Sequence, residues 1–97
     1  MPDIPSPLQD DALLYQTCKD ALRMALGGVD PYPEQPDMKQ RLLVALFSLP
    51  DRQHTSITMS LGAGYTQLEI AGHRGVSERT VRSDIYDGIR AIAERVF

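Results

Sequence analysis

Five residues near the end of the chain could make directed contacts with a polyanion: Ser77, Arg79, Thr80, Arg82 and Ser83, with Tyr86 three positions further on. Arginine carries a planar fork of donors that matches guanine O6 and N7, or a phosphate, two bonds at a time. Serine and threonine add hydroxyls that donate or accept. Arg79 and Arg82 lie three apart, so on a helix they share one outer face. The plainer reading has both arginines solvated and paired with Glu78 and Asp84 of the same helix. Tyr86 would either touch a nucleic-acid backbone or simply pack, and Asp84 and Asp87 would repel phosphate and limit how deep the helix could lie. Nothing in the chain suggests covalent chemistry. No carboxylate pair or nucleophile–base set stands out, and Gly62-Ala63-Gly64 lacks the lysine and length of a phosphate-binding loop. His54 and His73 have no Cys or second His at ligand spacing, so a metal site is not expected; His73 either approaches phosphate or is merely exposed. A non-enzyme without cofactor follows.

The stretch Tyr65 to Tyr86 supplies the elements that would position these side chains. Thr66 and Glu69 have the spacing of a capping box and open a helix over about residues 66–74. Ile70 and Ala71 face inward, and the small Ala71 lets a second helix cross closely. Gly75 falls where the chain must turn in a left-handed conformation. Val76 plugs the angle between the helices, and Ser77 caps the next one. Val81 and Ile85, four apart, put an apolar stripe against the first helix. Together the spacings give a helix-turn-helix of the DNA-binding kind; an ordinary corner between two helices is the alternative.

Before this unit, residues 1–9 hold three prolines and little to bury, and are expected to form a flexible tail. A helix is predicted over Asp10 to Leu26, with Leu14, Cys18, Ala21, Leu22 and Ala25 on one face and Gly27-Gly28 at its end. Pro31, Pro33 and Pro36 make residues 28–37 an extended connector. Asp37, with Gln40 completing a box, caps a second helix whose apolar face is Met38, Leu42, Ala45, Leu46 and Leu49. Pro50 opens a third helix, Asp51 to about Leu61, with Ile57 and Leu61 inward and Ser56, Thr58 and Ser60 polar. The last helix, about 77–96, carries Val81, Ile85, Ile89, Ile92 and Val96 along one side, while Gly88 permits a close approach or a bend. Ile92, Ala93, Val96 and Phe97 need a partner surface. The helix at 10–26 can supply it, from a second copy in a homodimer or by folding back within the chain.

The 97 residues bound one small domain. No apolar run is long enough to span a membrane, and the single cysteine, Cys18, fits a reducing cytoplasm as a small apolar filler rather than a reactive thiol. The net charge is −3: residues 1–50 contribute seven acids and four bases (−3), residues 51–72 two acids and one base (−1), and residues 73–97 four acids and five bases (+1). Only the end of the chain attracts phosphate, and weakly; the acidic first half would repel DNA or attract a basic partner.

Leu49-Pro50-Asp51-Arg52-Gln53, then a helix, a glycine-containing turn, YTQLEIA and GVSERTVRSDI resemble, in that order, region 4 of RNA polymerase sigma factors of the sigma-70 family, in particular the extracytoplasmic-function group. The likeness covers about Met38 to Ile92. It implies an all-α fold, a small winged-helix-like helical bundle with residues 38–97 as the DNA-binding unit, and a domain that reads the −35 promoter element and touches the flap of the polymerase β subunit. Double-stranded DNA and RNA polymerase core are the implied partners. Arg52 and Gln53 would lie near the DNA backbone, Thr66 and Ser77 would set helix N-termini against phosphates, and Arg79, Thr80, Arg82 and Ser83 would face the major groove. The chain departs from the family at Arg74, where leucine is usual, and at Ser56 and Thr58, where apolar residues are usual; Gly72 weakens the first motif helix. The sequence holds no counterpart of region 2, so a complete conventional sigma factor is not expected. A transcriptional regulator binding duplex DNA is the leading reading. A protein-interaction adaptor for RNA polymerase or an anti-sigma-like partner is the alternative, and a LuxR-type dimeric output domain is a third.

Overall fold

The computed structural model describes residues 7–97, with side chains from Asp11 onward. The expected tail over 1–9 lies mostly outside this range, but its end is already helical: α1 runs Pro7–Leu26. Proline suits the first turn of a helix, where its missing N–H has no partner to lose. The other helices are α2 (Met38–Phe47), α3 (Asp51–Ile57), α4 (Gln67–Arg74) and α5 (Glu78–Val96). No strand occurs among the described residues.

α5 is the axis against which the other four helices pack. Its predicted stripe is the inner wall of the core: Val81, Ile85, Ile89, Ile92 and Val96 are all buried. Leu22, Leu42, Leu46, Ile57 and Ile70 complete the core from the other four helices. α3 crosses α5 at Gly88. A Cβ there would stand 2.6 Å from Ile57 Cδ1 and 3.2 Å from Gln53 Cβ. Close approach, not a bend, is what this glycine provides.

The apolar end of α5 finds its cover within the chain. α1 lies along it, and the Cys18 thiol points at the Ile89 carbonyl, Sγ to O 3.7 Å. Burial pushes that thiol up to about 12, so Cys18 is a packed apolar filler. Tyr32, from the proline-rich connector, meets Phe97 edge-on with ring centroids 6.1 Å apart.

Two local expectations need correction. Asp37 does not cap α2 with its side chain: its backbone is already helical (φ −80°, ψ −13°) and it makes no capping bond. The connector ends in turns that do this work, since Met38 N–H donates to the Gln35 carbonyl at 2.9 Å. The third helix also ends differently. After Ile57 it widens into a π-helical turn, Thr58–Gly62, closed by Ala63 N–H donating to the Thr58 carbonyl. Thr58 Oγ1 bonds back to the His54 carbonyl at 2.8 Å, a side-chain contact that competes with the regular ladder. The wider turn still keeps Leu61 buried.

Candidate nucleic-acid interface

The turn between α4 and α5 follows from four residues. Thr66 Oγ1 accepts the Glu69 N–H at 3.1 Å, and Glu69 Oε1 accepts the Thr66 N–H at 2.9 Å, which completes the capping box. The Thr66 N–H, then the Thr66 hydroxyl, hold the Glu69 carboxyl below the usual glutamate range. At the far end Gly75 adopts φ 71°, ψ 34°, and the N–H groups of Gly75 and Val76 both donate to the Ala71 carbonyl. Ser77 Oγ then accepts the Thr80 N–H at 3.1 Å and starts α5. Ala71 and Val81 are buried where the two helices meet, and Val76 packs beside them.

With Val81, Asp84, Ile85 and Gly88 turned inward, α5 presents Ser77, Arg79, Thr80, Arg82, Ser83, Tyr86 and Asp87 to solvent. The sequence-predicted residues of this helix thus share one strip. Among the described residues Arg79 has no carboxylate within salt-bridge distance. Arg82 faces Glu78 at 3.7 Å with both side chains largely exposed, a contact worth roughly 0–1 kcal/mol and easily exchanged for another anion. Tyr86 sits at the far edge of the strip. Its ring lies 5.1 Å from that of Tyr15 on α1, and the Arg90 guanidinium stands 5.7 Å from its centroid. Thr66 belongs to the start of α4 and so stands apart from this strip. Gln53 is half-buried, its stem set into the seam between α3 and α5.

Three residues of this region were not read as a group from sequence. Ser56 is fully buried, Asp84 is 6% exposed, and Arg74 lies between them. Arg74 Nη1 donates to Ser56 Oγ at 2.7 Å and to Asp84 Oδ2 at 2.9 Å. Arg52 adds its Nε at 3.4 Å from Asp84 Oδ1. Asp84 is therefore not a surface charge that repels phosphate, and it does not pair with Arg79 or Arg82; it is neutralised by Arg74 of α4 from within and by the exposed Arg52 of α3 at the surface. Arg74 and Ser56, two departures from the family pattern, compensate one another. The sole hint in the sequence is that Arg74 falls four residues after the inward Ile70, on a helix face otherwise apolar.

No group of His, Cys, Asp and Glu suited to a metal ion occurs among the described residues. The fold and the exposed strip are those of a helix-turn-helix domain. The family model "Sigma-70, region 4" matches residues 39–92, more than half of the chain, and the protein belongs to that family of non-enzymatic DNA-binding transcription domains. No curated protein and no solved structure matches the chain. No helix among the described residues is long and apolar enough to cross a membrane.

Proposed function

We propose that this protein is a transcriptional regulator that binds duplex DNA through the exposed strip of α5, with Arg79, Thr80, Arg82 and Ser83 in the major groove and Arg52 on the backbone. The observation that carries this reading is the strip itself. It joins a capped helix start to two exposed arginines whose directions are fixed by the buried Val81 and Ile85. Ser77 and Thr66 would bring the N–H groups of two helix starts near phosphates, although both hydroxyls already serve their own helices. Tyr86 would contribute at most at the strip's edge, because it packs on Tyr15. RNA polymerase core is the second partner that the family suggests, and the cytoplasm the compartment. One chain is the binding unit in this reading, since α1 already covers the surface for which a homodimer was expected.

The test compares Arg82→Ala with Arg95→Ala on a duplex selected from a random pool. Both residues are exposed, so stability should hold within about 0.5 kcal/mol. Arg82→Ala should weaken specific binding by about 1–3 kcal/mol if a guanine is read. Arg95→Ala, at the far end of α5, should do little. The opposite ranking would refute the groove assignment. The adaptor reading has its own support in Phe47 and Val44 of α2, which are 65% and 50% exposed, and in the net charge of −3. A wild-type chain that shows no salt-dependent retention of duplex would favour it.

A further inference from the structure

The contacts Ser56–Arg74–Asp84–Arg52 lead from a fully buried hydroxyl to a guanidinium in water. Asp84 gives one carboxylate oxygen to each arginine: Oδ2 to Arg74 Nη1 at 2.9 Å, and Oδ1 to Arg52 Nε at 3.4 Å. The surroundings of the two arginines differ sharply, with side chains 14% and 61% exposed. Arg74 is also held by Ser56 and cannot leave without stranding a buried charge, so the carboxylate is fixed in place. The fixed carboxylate forms an ion pair on the Nε side of the Arg52 guanidinium, at 3.4 Å, and leaves its two Nη groups for another acceptor. Arg52 stands at the margin of the exposed strip, because Asp84 adjoins Ser83 and lies one turn from both Thr80 and Asp87.

Resting on the reading of α5 as the DNA-binding helix, we propose that Asp84 is a positioning residue that buttresses Arg52, aiming its Nη groups at a backbone phosphate of the bound duplex. Asp84 itself does not touch DNA. The inference has a sign that simple electrostatics does not. Removing a carboxylate beside a polyanion should tighten binding by charge alone; removing a buttress weakens it.

The experiment follows fluorescence anisotropy of a labelled mixed-sequence duplex with the full chain across a salt series. Asp84→Asn should weaken binding roughly fivefold, about the worth of one partly exposed ion pair, and should cause no further loss in an Arg52→Ala background. Arg52→Lys should weaken it to a similar degree, since an ammonium cannot pair with Asp84 on one edge while offering a separate fork to phosphate. Arg52→Ala should also lower the salt slope by about one unit. Binding by Asp84→Asn as tight as wild type or tighter overturns the proposal, as does an equal loss with and without Arg52. Should Asp84→Asn fail to fold, the exposed Arg52→Lys decides: affinity equal to wild type refutes the buttress, and a loss supports it. A wild-type chain without salt-dependent binding overturns the DNA reading itself and this inference with it.

Discussion

Replacing Arg74 and Asp84 by leucine, singly and together, tests whether the buried pair holds α4 to α5. At 2.9 Å and an effective dielectric constant of about 20, opposite unit charges attract by about 6 kcal/mol. Desolvation of each ion costs several kcal/mol, so the intact pair is close to break-even against a well-packed apolar pair. The cost appears when one partner is removed. Asp84→Leu strands Arg74 with only the Ser56 hydroxyl, and should destabilise by about 3–5 kcal/mol. Arg74→Leu should cost less, about 2–3 kcal/mol, because Arg52 still stands at 3.4 Å from Asp84. The double variant should return to within about 1 kcal/mol of wild type.

Urea denaturation followed by far-ultraviolet circular dichroism measures all four corners of this cycle. For a domain of this size 1 kcal/mol shifts the melting temperature by about 4–8 °C, so the Asp84→Leu effect should be plain in a thermal scan as well. Ser56→Ala removes one acceptor from a nearly buried guanidinium and should cost about 1–2 kcal/mol. Single variants that each cost under about 1 kcal/mol, with effects that add in the double, would refute the reasoning. The guanidinium and carboxylate would then be solvated despite their placement.

Three further outcomes follow from separate parts of the fold. Gly72→Ala on α4, where an added Cβ meets nothing within 4 Å, should stabilise by about 0.5–1 kcal/mol in denaturation, whereas Gly88→Ala should destabilise by about 1–3 kcal/mol through its clash with Ile57 and Gln53. Because its bonds to Thr66 lower the folded pKa of Glu69, the carboxylate adds stability above the ordinary glutamate pKa and loses it as pH falls through the lowered value; melting temperature against pH should show a shallower acid limb in Glu69→Gln. Cys18, a thiol at neutral pH, should react with iodoacetamide only as the chain unfolds, and prompt labelling of the native protein would refute the packing of α1 on α5.

What the sequence revealed and what it hid divide along the range of the interactions. The capping box at Thr66, the left-handed Gly75 and the Ser77 cap are local, each settled within four residues, and each stands where its spacing put it. The stripes of α1 and α5 were legible because burial repeats with the helical period. The sequence named the helix at 10–26 as the cover for the end of α5 but left open whether it comes from the same chain or a second copy, because an apolar face does not name its partner; α1 of the same chain lies along it. The network of Ser56, Arg74 and Asp84 was hidden for the same reason. Its members are 18 and 10 residues apart, and in sequence Ser56 sits among the polar residues of its helix while Asp84 reads as an outward charge beside the arginines of α5. Asp37 failed as a cap because a competing local bond, the Met38 N–H on the Gln35 carbonyl in the connector's last turn, already serves the start of its helix.

The internal pairing also bears on how an acidic chain could hold DNA. Of the five arginines after residue 72, Arg74 is neutralised inside by Asp84, and Arg90 lies within 3.7 Å of both Asp11 and Glu94. Arg79 and Arg82 remain at the start of α5, with Arg52 beside them. On the proposed reading only about three phosphate or base contacts carry positive charge, which gives a salt slope of about three where a binder with six to ten phosphate contacts has two or three times that. Charge attraction of this size cannot by itself hold the chain on DNA against its net −3 at physiological salt. On that reading affinity would need more than net charge: the directed bidentate hydrogen bonds of arginines already aimed by packing, and a second surface for a partner. The exposed Val44 and Phe47 of α2 are among the apolar residues that could take that second task, and they lie on a different helix from the strip that would read DNA.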